Sequence, residues 1–491
     1  MAEQVEEPSV RPSDPWGGPK ILTRKRNGSY TWQVIAGSAT LGLAVAAGAV
    51  LAAGPWDNGQ RKAERALAVT ADRTGGAHHG RTAPGGPRPA PRAPAVLPAL
   101  GSDAQDAPQD PAGLRDALAP LIGAPGLGNQ LAASVIDTAT GEQLYGHGAT
   151  VPMTPASTVK IATTVAALSV LGPDHRIATT AALSPDSRTL TLVGGGDPTL
   201  SEADLRSMAA EAARALREED RDSVRLAYDV SRYTGPVLHP ISPNENIAPV
   251  TALMVDEGRL DDTDRGPADR TDDPAGDAAR AFARALEKAG VQVAGAPREA
   301  RAAASARTVA THRSAPLSAL AERTLTNSDN DIAEALARQT AIAKGEKASF
   351  AGAGRAVTNE LKKLQLPVAG ARFADGSGLD RAGRVTPALL TALLARAADP
   401  DRPGLRPVLT GLPIAGFSGT LGGRYERDAA GTGLIRAKTG TLRGVNSLAG
   451  TVVDRKGRLL AFAFLASGSV SAAAAEPALD ALATALAATG G

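Results

Sequence analysis

The fold of this chain is decided by the stretch Thr154-Pro155-Ala156-Ser157-Thr158-Val159-Lys160, which leads directly into the apolar segment 161–171. Proline suits the approach to a helix, and the apolar residues that follow recur at helical spacing. Ser157 and Lys160 are three residues apart, so they lie one turn above each other on one helix face. The amine of Lys160 is then within reach of the Ser157 hydroxyl and can remove its proton.

A second motif, Ser328-Asp329-Asn330, directly precedes a run with helical periodicity. Serine or asparagine at a helix start also serves as an ordinary N-cap, so this motif alone does not require catalysis. The similar tripeptide Ser242-Pro243-Asn244 is set aside because its proline forces an extended shape and no helical run follows. We expect Ser328 and Asn330 at the start of a helix.

A third motif, Arg436-Ala437-Lys438-Thr439-Gly440-Thr441, opens a series of antiparallel strands that continues through 445–453 and 459–465. Strand alternation puts Lys438 and Gly440 on one face, so a cation lies beside a position without a side chain. A substrate backbone can lie against such a strand, and a carboxylate can meet the amine. The alternative is that the lysine only protects an edge strand against aggregation.

Composition excludes several classes of function. The chain has 491 residues, and 53 Lys and Arg against 51 Asp and Glu give a net charge of +2, which makes no case for binding nucleic acid. The absence of cysteine removes disulfides, thiol catalysis and thiolate metal sites. None of the six histidines belongs to a His-Glu-x-x-His motif, so a metallopeptidase is disfavoured. We expect no metal and no cofactor.

The N-terminal part predicts export. Residues 1–33 form a polar, basic cytoplasmic tail, and residues 34–53 carry no charge over the length that spans a bilayer. We predict an uncleaved transmembrane anchor there, with a cleaved signal peptide as the alternative. Residues 54–112 are a Pro/Ala/Gly-rich linker. The expected localisation is the cell membrane, with a single span and the catalytic domain outside, or secretion if the segment is cleaved.

The order Ser-x-x-Lys, Ser-x-Asn, Lys-Thr-Gly is the motif set of serine β-lactamases and penicillin-binding proteins. From about residue 114 to the C-terminus, the chain resembles the class C low-molecular-mass penicillin-binding proteins, D-alanyl-D-alanine carboxypeptidases/endopeptidases, in an actinobacterial-like form. The stretches 194–200, 228–231, 375–379 and 438–448 resemble this family as well. Asp380 departs from it, since the family usually has serine at that place.

The resemblance implies an α+β fold of the serine β-lactamase/transpeptidase type, an antiparallel sheet flanked by helices. Residues 113–180 and 315–491 would form this catalytic domain. The long interval between Lys160 and Ser328 leaves room for a domain inserted between the first and second motifs, residues 181–314. Such an insertion is typical of the family, though it is often longer than here.

The resemblance also implies catalytic roles. Ser157 attacks the carbonyl between two D-alanines and becomes an acyl-enzyme, which water then releases. Lys160 acts as the base, its pKa lowered by burial and by Lys438. Ser328 relays a proton to the leaving amine. The backbone amides of Ser157 and Thr441 form the oxyanion hole.

Substrate-binding roles follow from the same resemblance. Lys438 and Thr439 hold the terminal carboxylate of the substrate, with Gly440 and Thr441 beside them. Asn330 positions the substrate amide. Asp229 matches a family aspartate that faces the free amino end of the peptide side chain.

The predicted function is hydrolysis of D-alanyl-D-alanine, with D-alanyl-diaminopimelate cross-links as a further endopeptidase substrate. The expected partners are peptidoglycan stem peptides and, as covalent inhibitors, β-lactam antibiotics. One alternative is a β-lactamase, which the inserted domain argues against. The other is an inactive wall-binding scaffold, which the intact Ser157, Lys160, Ser328 and Lys438 argue against.

Overall fold

The structure is a computed structural model that describes residues 111–242, 244–425 and 430–489. The helices within these residues are α1 (Pro111–Ile122), α2 (Lys160–Leu171), α3 (Glu202–Arg217), α4 (Pro274–Lys288), α5 (Leu317–Asn327), α6 (Asn330–Ala343), α7 (Phe350–Lys363), α8 (Pro387–Ala398), α9 (Pro407–Thr410) and α10 (Ala472–Ala488). The strands are β1 (Gln130–Asp137), β2 (Gln143–His147), β3 (Ala178–Leu183), β4 (Thr189–Val193), β5 (Ser223–Asp229), β6 (Gln292–Val293), β7 (Arg298–Glu299), β8 (Arg307–Arg313), β9 (Ile435–Leu442), β10 (Val445–Val453) and β11 (Leu459–Ser467).

The main sheet has five strands in the order β2-β1-β11-β10-β9, and every neighbouring pair is antiparallel. The strands that the sequence predicted for the third motif and its continuation are β9, β10 and β11. The strand pair β1 and β2 is the hairpin that leads toward Ser157. Strand β9 is at the end of this order, so the third motif lies on an edge strand.

Both faces of the main sheet are buried. In β11, Ala461, Ala463 and Leu465 belong to a core shared with α2, α5, α6 and α8. Phe462 and Phe464 alternate with them and belong to the opposite core, which α1 and α10 cover. Because successive strand residues point to opposite faces, this alternation makes a sheet with helices on both sides. The expected antiparallel sheet flanked by helices is confirmed.

A second sheet extends from Ala178 to Arg313, with the order β6-β5-β4-β3-β8 and β7 paired to β5. Strand β3 pairs antiparallel with β4 and β8, whereas β4, β5 and β6 are parallel neighbours. Helices α3 and α4 pack on it and contribute Met208 and Phe282 to a core of its own. The division of the chain into a catalytic domain and an inserted domain, with boundaries at 181 and 314, stays a prediction.

The predicted localisation needs correction. Within the described ranges, no helix combines the length and the apolar character needed to cross a bilayer. This finding contradicts the predicted localisation at the cell membrane, which is withdrawn. The predicted tail 1–33 and segment 34–53 lie outside the described residues, as does the linker 54–112 except for its last two residues, which begin α1.

Candidate active site

Ser157 lies in a short 3₁₀ turn, Ala156–Val159, that runs into α2. Ala156 has φ 48°, a left-handed conformation that is rare for a residue with a side chain. The turn is fastened at the carbonyl of Pro155, which accepts hydrogen bonds from Thr158 Oγ1 (2.7 Å) and Ser447 Oγ (2.7 Å). Backbone strain is therefore held at the residue directly before Ser157 by packing against the main sheet.

Lys160 contacts both the first and the second motif. Its Nζ donates hydrogen bonds to Ser157 Oγ (3.0 Å), Asn330 Oδ1 (2.7 Å) and the carbonyl of Ser377 (2.7 Å). The residue is completely buried, and burial lowers the pKa of Lys160 to about 8 although nearby carboxylates, Asp375 foremost, raise it. The contact between Ser157 and Lys160 that the spacing predicted is present.

The second motif joins two helices. Ser328 ends α5 with φ 60°, and the Asp329 carboxylate caps α6 by accepting a hydrogen bond from Ile332 N (2.9 Å). Asn330 is the first residue of α6. Its Nδ2 donates to the carbonyl of Asn246 (2.9 Å), which turns its Oδ1 toward Lys160. The helix start that the sequence predicted is found, and the capping function belongs to Asp329.

Lys438 is completely buried in β9, and its Nζ donates to the carbonyl of Thr439 (2.9 Å). Burial, followed by repulsion from the charge of Lys160, holds the pKa of Lys438 well below its usual range. Repulsion between two ammonium groups is mutual, and the expected lowering of the Lys160 pKa by Lys438 stays a prediction.

Gly440 lies on the face of β9 that packs against the Ser157 turn. A Cβ at this position would meet Ser447 Oγ and would lie 2.8 Å from the carbonyl oxygen of Pro155 and 3.1 Å from the Ser157 nitrogen. Because Gly440 has no side chain, β9 can pack directly against the backbone of the Ser157 turn. On the other face of the strand, Thr439 and Thr441 line a cavity.

This cavity has a volume of about 580 Å³ and brings the three motifs together. Of the predicted site residues, its lining includes Ser157, Ser328, Asn330, Thr439 and Thr441. A space lined by convergent hydroxyl and amide groups is the expected form of a site that binds a polar ligand. The order of motifs in the sequence thus becomes one constellation in the fold.

Asp229 is not part of this constellation. It ends β5 in the second sheet, and its two carboxylate oxygens accept hydrogen bonds from Ser231 N (2.8 Å) and Ala302 N (2.8 Å). It is not among the residues that line the cavity. These contacts explain the carboxylate as a cap for local backbone, and its predicted role toward a substrate amine stays a prediction.

Three arginines line the cavity, and each is paired with a carboxylate: Arg259 with Glu257 (3.0 Å), Arg270 with Asp331 (3.3 Å) and Arg424 with Asp480 (2.6 Å). Most of the acid-rich loop 261–273 is exposed. The side chain of Arg270, by contrast, has 3% of its surface exposed. Pairing with Asp331 replaces the hydration that burial removes.

Three residues around Lys160 were not identified from the sequence. Ser377 supplies a carbonyl acceptor from a stretch noted only for its family resemblance. Asn246 supplies the carbonyl that orients Asn330, and His239 contacts Asp375, whose charge acts on Lys160. No motif marks His239 or Asn246, because their contacts arise only when distant segments pack together.

Two groups of buried side chains have the residue types of a metal site: His239, Glu334 and Asp375, and Glu257, Asp329 and Asp331. In the first group, the carboxylates accept hydrogen bonds from the 375–380 backbone, and Glu334 pairs with Arg338. In the second group, the carboxylates face Arg259, Arg270 and Arg323. Both sets are therefore explained by hydrogen bonds and ion pairs, and we assign no metal to them.

Comparison with known proteins identifies a family. Residues 114–268 and 263–489 match the D-Ala-D-Ala carboxypeptidase 3 (S13) family. The chain is 39% identical over 421 residues to a carboxypeptidase of Mycobacterium tuberculosis, covering 82% of this chain and 89% of the relative. It is 38% identical over 391 residues to carboxypeptidase DacB of Mycolicibacterium smegmatis, covering 76% and 84%.

A solved structure agrees with the predicted fold class. Penicillin binding protein 4 of Haemophilus influenzae superposes with a TM-score of 0.61 at 22% identity, covering 73% of this chain and 94% of that one. The transpeptidase-like fold that the motifs implied is thereby confirmed.

Proposed function

Because the chain belongs to the D-Ala-D-Ala carboxypeptidase 3 (S13) family, we propose that it hydrolyses D-alanyl-D-alanine through an acyl-enzyme on Ser157. Peptidoglycan stem peptides are its substrates, and β-lactam antibiotics acylate the same serine. One observation carries this proposal. A completely buried lysine with a pKa of about 8 donates a hydrogen bond to Ser157 Oγ (3.0 Å).

Acylation begins with proton transfer from the Ser157 hydroxyl to neutral Lys160. The serine oxygen attacks the carbonyl carbon between the two D-alanines, and the bond to the leaving nitrogen then breaks. Ser328, which lines the same cavity, passes a proton to the departing amine. The proximity of Gly440 to Ser157 N supports an oxyanion hole formed by the amides of Ser157 and Thr441.

Substrate binding uses the face of β9 that lines the cavity. The hydroxyls of Thr439 and Thr441 line the cavity and hold the terminal carboxylate of the peptide. Lys438 lies directly behind them, and a carboxylate in the cavity favours its protonated form. Asn330 positions the substrate amide. Water then attacks the acyl-enzyme and releases Ser157.

Endopeptidase cleavage of D-alanyl-diaminopimelate cross-links requires the same acylation step with a different leaving amine. We include it in the proposal because the cavity, at about 580 Å³, is larger than a terminal alanine needs. A β-lactamase would acylate in the same way and release penicillin quickly. A wall-binding scaffold would not acylate at all.

The first prediction concerns this covalent step. We expect a fluorescent penicillin to label the purified protein stably, and Ser157→Ala to abolish the label because no other hydroxyl contacts Lys160 Nζ among the described residues. Gel fluorescence after denaturation measures the adduct. Release of D-alanine from a stem pentapeptide, and of cross-linked dimers from muropeptides, then measures the two hydrolytic activities.

The matched control is Ser169→Ala. Ser169 is on the same helix, α2, and donates to Glu360 Oε1 (2.8 Å) away from the cavity. Its substitution should leave labelling intact. An unlabelled, folded wild-type protein would favour the scaffold, and a label that disappears within minutes would favour the β-lactamase.

A further inference from the structure

We propose, on the basis of the function proposed above, that His239 is a positioning residue for Lys160: it holds the loop 375–380, whose Ser377 carbonyl accepts a hydrogen bond from the lysine amine. His239 lies in the segment 231–250, which leaves the second sheet after β5 and of which all residues except 243 are described. It contacts neither Ser157 nor Lys160 in the hydrogen bonds described above, so it acts through the loop.

The loop 375–380 directly surrounds the catalytic turn. Ser377 O accepts from Lys160 Nζ (2.7 Å), and Gly376 O accepts from Thr163 Oγ1 (2.7 Å) on α2. Gly378 has φ 84°, and a Cβ there would collide with the carbonyl of Ala156. A small movement of this loop would therefore shift both the acceptor of Lys160 and the turn that carries the nucleophile.

Two buried carboxylates fix the loop. Asp375 accepts hydrogen bonds from Gly378 N (2.9 Å) and Asp380 N (2.7 Å). Glu334, on α6, accepts from the backbone nitrogens of residues 376 and 377 (3.0 and 2.9 Å). Glu334 is itself held by Arg338 (2.8 Å), so it has a partner from its own helix. Asp375 accepts a further hydrogen bond from Ser377 Oγ (3.1 Å) within the loop, and it has one side-chain partner from elsewhere in the chain.

That partner is His239. Its Nε2 lies 3.0 Å from Asp375 Oδ2, with the two side chains 0% and 2% exposed. His239 Nδ1 accepts a hydrogen bond from Ile241 N (3.3 Å), so Nδ1 carries no proton and Nε2 is the donor to Asp375. The ring also packs edge-on against Phe350, with centroids 5.3 Å apart. The imidazole is thus fixed in one orientation and one tautomer.

The negative charge of Asp375 connects the pair of His239 and Asp375 to Lys160, the proposed base. Asp375 is the foremost of the carboxylates that raise the pKa of Lys160 against the effect of burial, followed by Asp329, Glu334 and Asp331 at α6. Lys438 on β9 is the other titratable amine that interacts with Lys160. The hydrogen bond from His239 helps to hold the pKa of Asp375 low, against burial, so it keeps this negative charge beside Lys160.

The same segment also holds a second acceptor of Lys160. The carbonyl of Asn246 accepts from Asn330 Nδ2 (2.9 Å), and this bond directs Asn330 Oδ1 to Lys160 Nζ. The segment 231–250 therefore supports the amine on two sides. Its position in the chain, directly after β5, makes the second sheet a support for the catalytic base.

The test compares His239→Leu, which removes the donor, with His239→Gln, whose amide can still donate to Asp375. We expect His239→Leu to slow acylation by a fluorescent penicillin about tenfold to a hundredfold, because a misplaced base loses its approach to the hydroxyl. The midpoint of the rate against pH should also move below that of wild type, since an Asp375 carboxylate that moves away with the loop raises the pKa of Lys160 less. His239→Gln should keep both values near wild type.

The control is His312→Gln. His312 also contacts carboxylates, Asp197 and Asp204, but it lies on β8 in the second sheet. This variant should acylate like wild type. Melting temperatures of all variants separate loss of fold from loss of positioning. For hydrolysis, kcat should fall in His239→Leu while KM stays nearly constant.

Three results would overturn the inference: normal rate and pH midpoint in folded His239→Leu, equal losses in the Leu and Gln variants, or loss in His312→Gln as large as in His239→Leu. If His239→Leu does not fold, NMR of the wild-type protein labelled with ¹⁵N-histidine decides. The His239 ring should be protonated at Nε2 and its signals should shift when penicillin acylates Ser157; unshifted signals reject the proposal. Failure of wild-type labelling would instead reject the proposed function.

Discussion

Lys160 and Lys438 are both completely buried, and burial lowers the pKa of each. Their surroundings differ. Four carboxylates near Lys160 raise its pKa against the effect of burial, and the result is about 8. For Lys438, the charge of Lys160 lowers the pKa further. A base must be neutral to accept a proton, and a pKa near the working pH leaves an appreciable neutral fraction. The pKa of about 8 supports the proposed role of Lys160 as base. The position of Lys438 on β9, with its Nζ at the carbonyl of Thr439, supports its proposed role as carboxylate binder.

The rate of acylation should therefore increase with pH. Raising the pH through about 8 converts Lys160 from its charged to its neutral form, so we expect a rising limb with a midpoint near this value. The second-order rate constant for a fluorescent penicillin, measured from pH 6 to pH 9.5, checks it. Lys160→Arg, which stays charged throughout, should acylate at no pH in this range. A flat or falling profile for wild type would exclude Lys160 as the base.

At the scale of the element, β9 has two different faces. Thr439 and Thr441 face the cavity, and Gly440 faces the turn of Ser157. The strand has one hydrogen-bonded neighbour, β10, within the main sheet. Its register against β10 pairs Gly440 with Ser447, whose hydroxyl also donates to the carbonyl of Pro155. The distance between β9 and the nucleophile thus depends on one residue without a side chain.

Gly440→Ala tests this dependence. The added methyl group would lie 2.8 Å from the carbonyl oxygen of Pro155, so β9 or the turn must shift. We expect acylation to slow about a hundredfold, because a displacement on the order of 1 Å is enough to misalign reacting groups. Gly123→Ala is the control, since a Cβ there meets nothing within 4 Å. Equal acylation by the two variants would show that the close approach is unimportant.

At the scale of the whole molecule, a buried ionic cluster joins the second motif to the segment before α4. Glu257, Asp329 and Asp331 lie together, and Arg259, Arg270 and Arg323 oppose their charge. Burial, followed by the charge of Asp329, raises the pKa of Glu257 to about 9 and that of Asp331 to about 7. Proton uptake by this cluster is therefore coupled to folding.

The sign of this coupling predicts a pH-dependent stability. The pKa of Glu257 is higher in the folded than in the unfolded chain, so its contribution is complete below about pH 4.3 and disappears as the pH rises through about 9. Glu257→Gln should remove a slope of at most about 1.4 kcal/mol per pH unit in this window. Urea unfolding at pH 6 and pH 9 measures it. Glu211→Gln, at an exposed position, should keep the wild-type pH dependence of the free energy of unfolding. The same pH dependence in Glu257→Gln as in wild type would contradict the prediction.

The sequence by itself determined the secondary structure around the site and predicted the chemistry of the site. The helix after Ser157, the helix after Ser328 and the strands from Lys438 onward follow from periodicity, which is local. The contact between Ser157 and Lys160 follows from their spacing on one turn, and the order of the three motifs identified the family. These features need no knowledge of how distant segments pack.

The tertiary structure alone decided what surrounds these residues. The carbonyl of Ser377, 217 positions away in the chain, accepts a hydrogen bond from Lys160. Gly440 on β9 packs against the turn that carries Ser157. Burial lowers the pKa of both Lys160 and Lys438, and Asp229 lies apart from the cavity because β5 belongs to the second sheet. Desolvation and long-range contacts depend on the complete packing of the chain, and a local pattern contains no information about them.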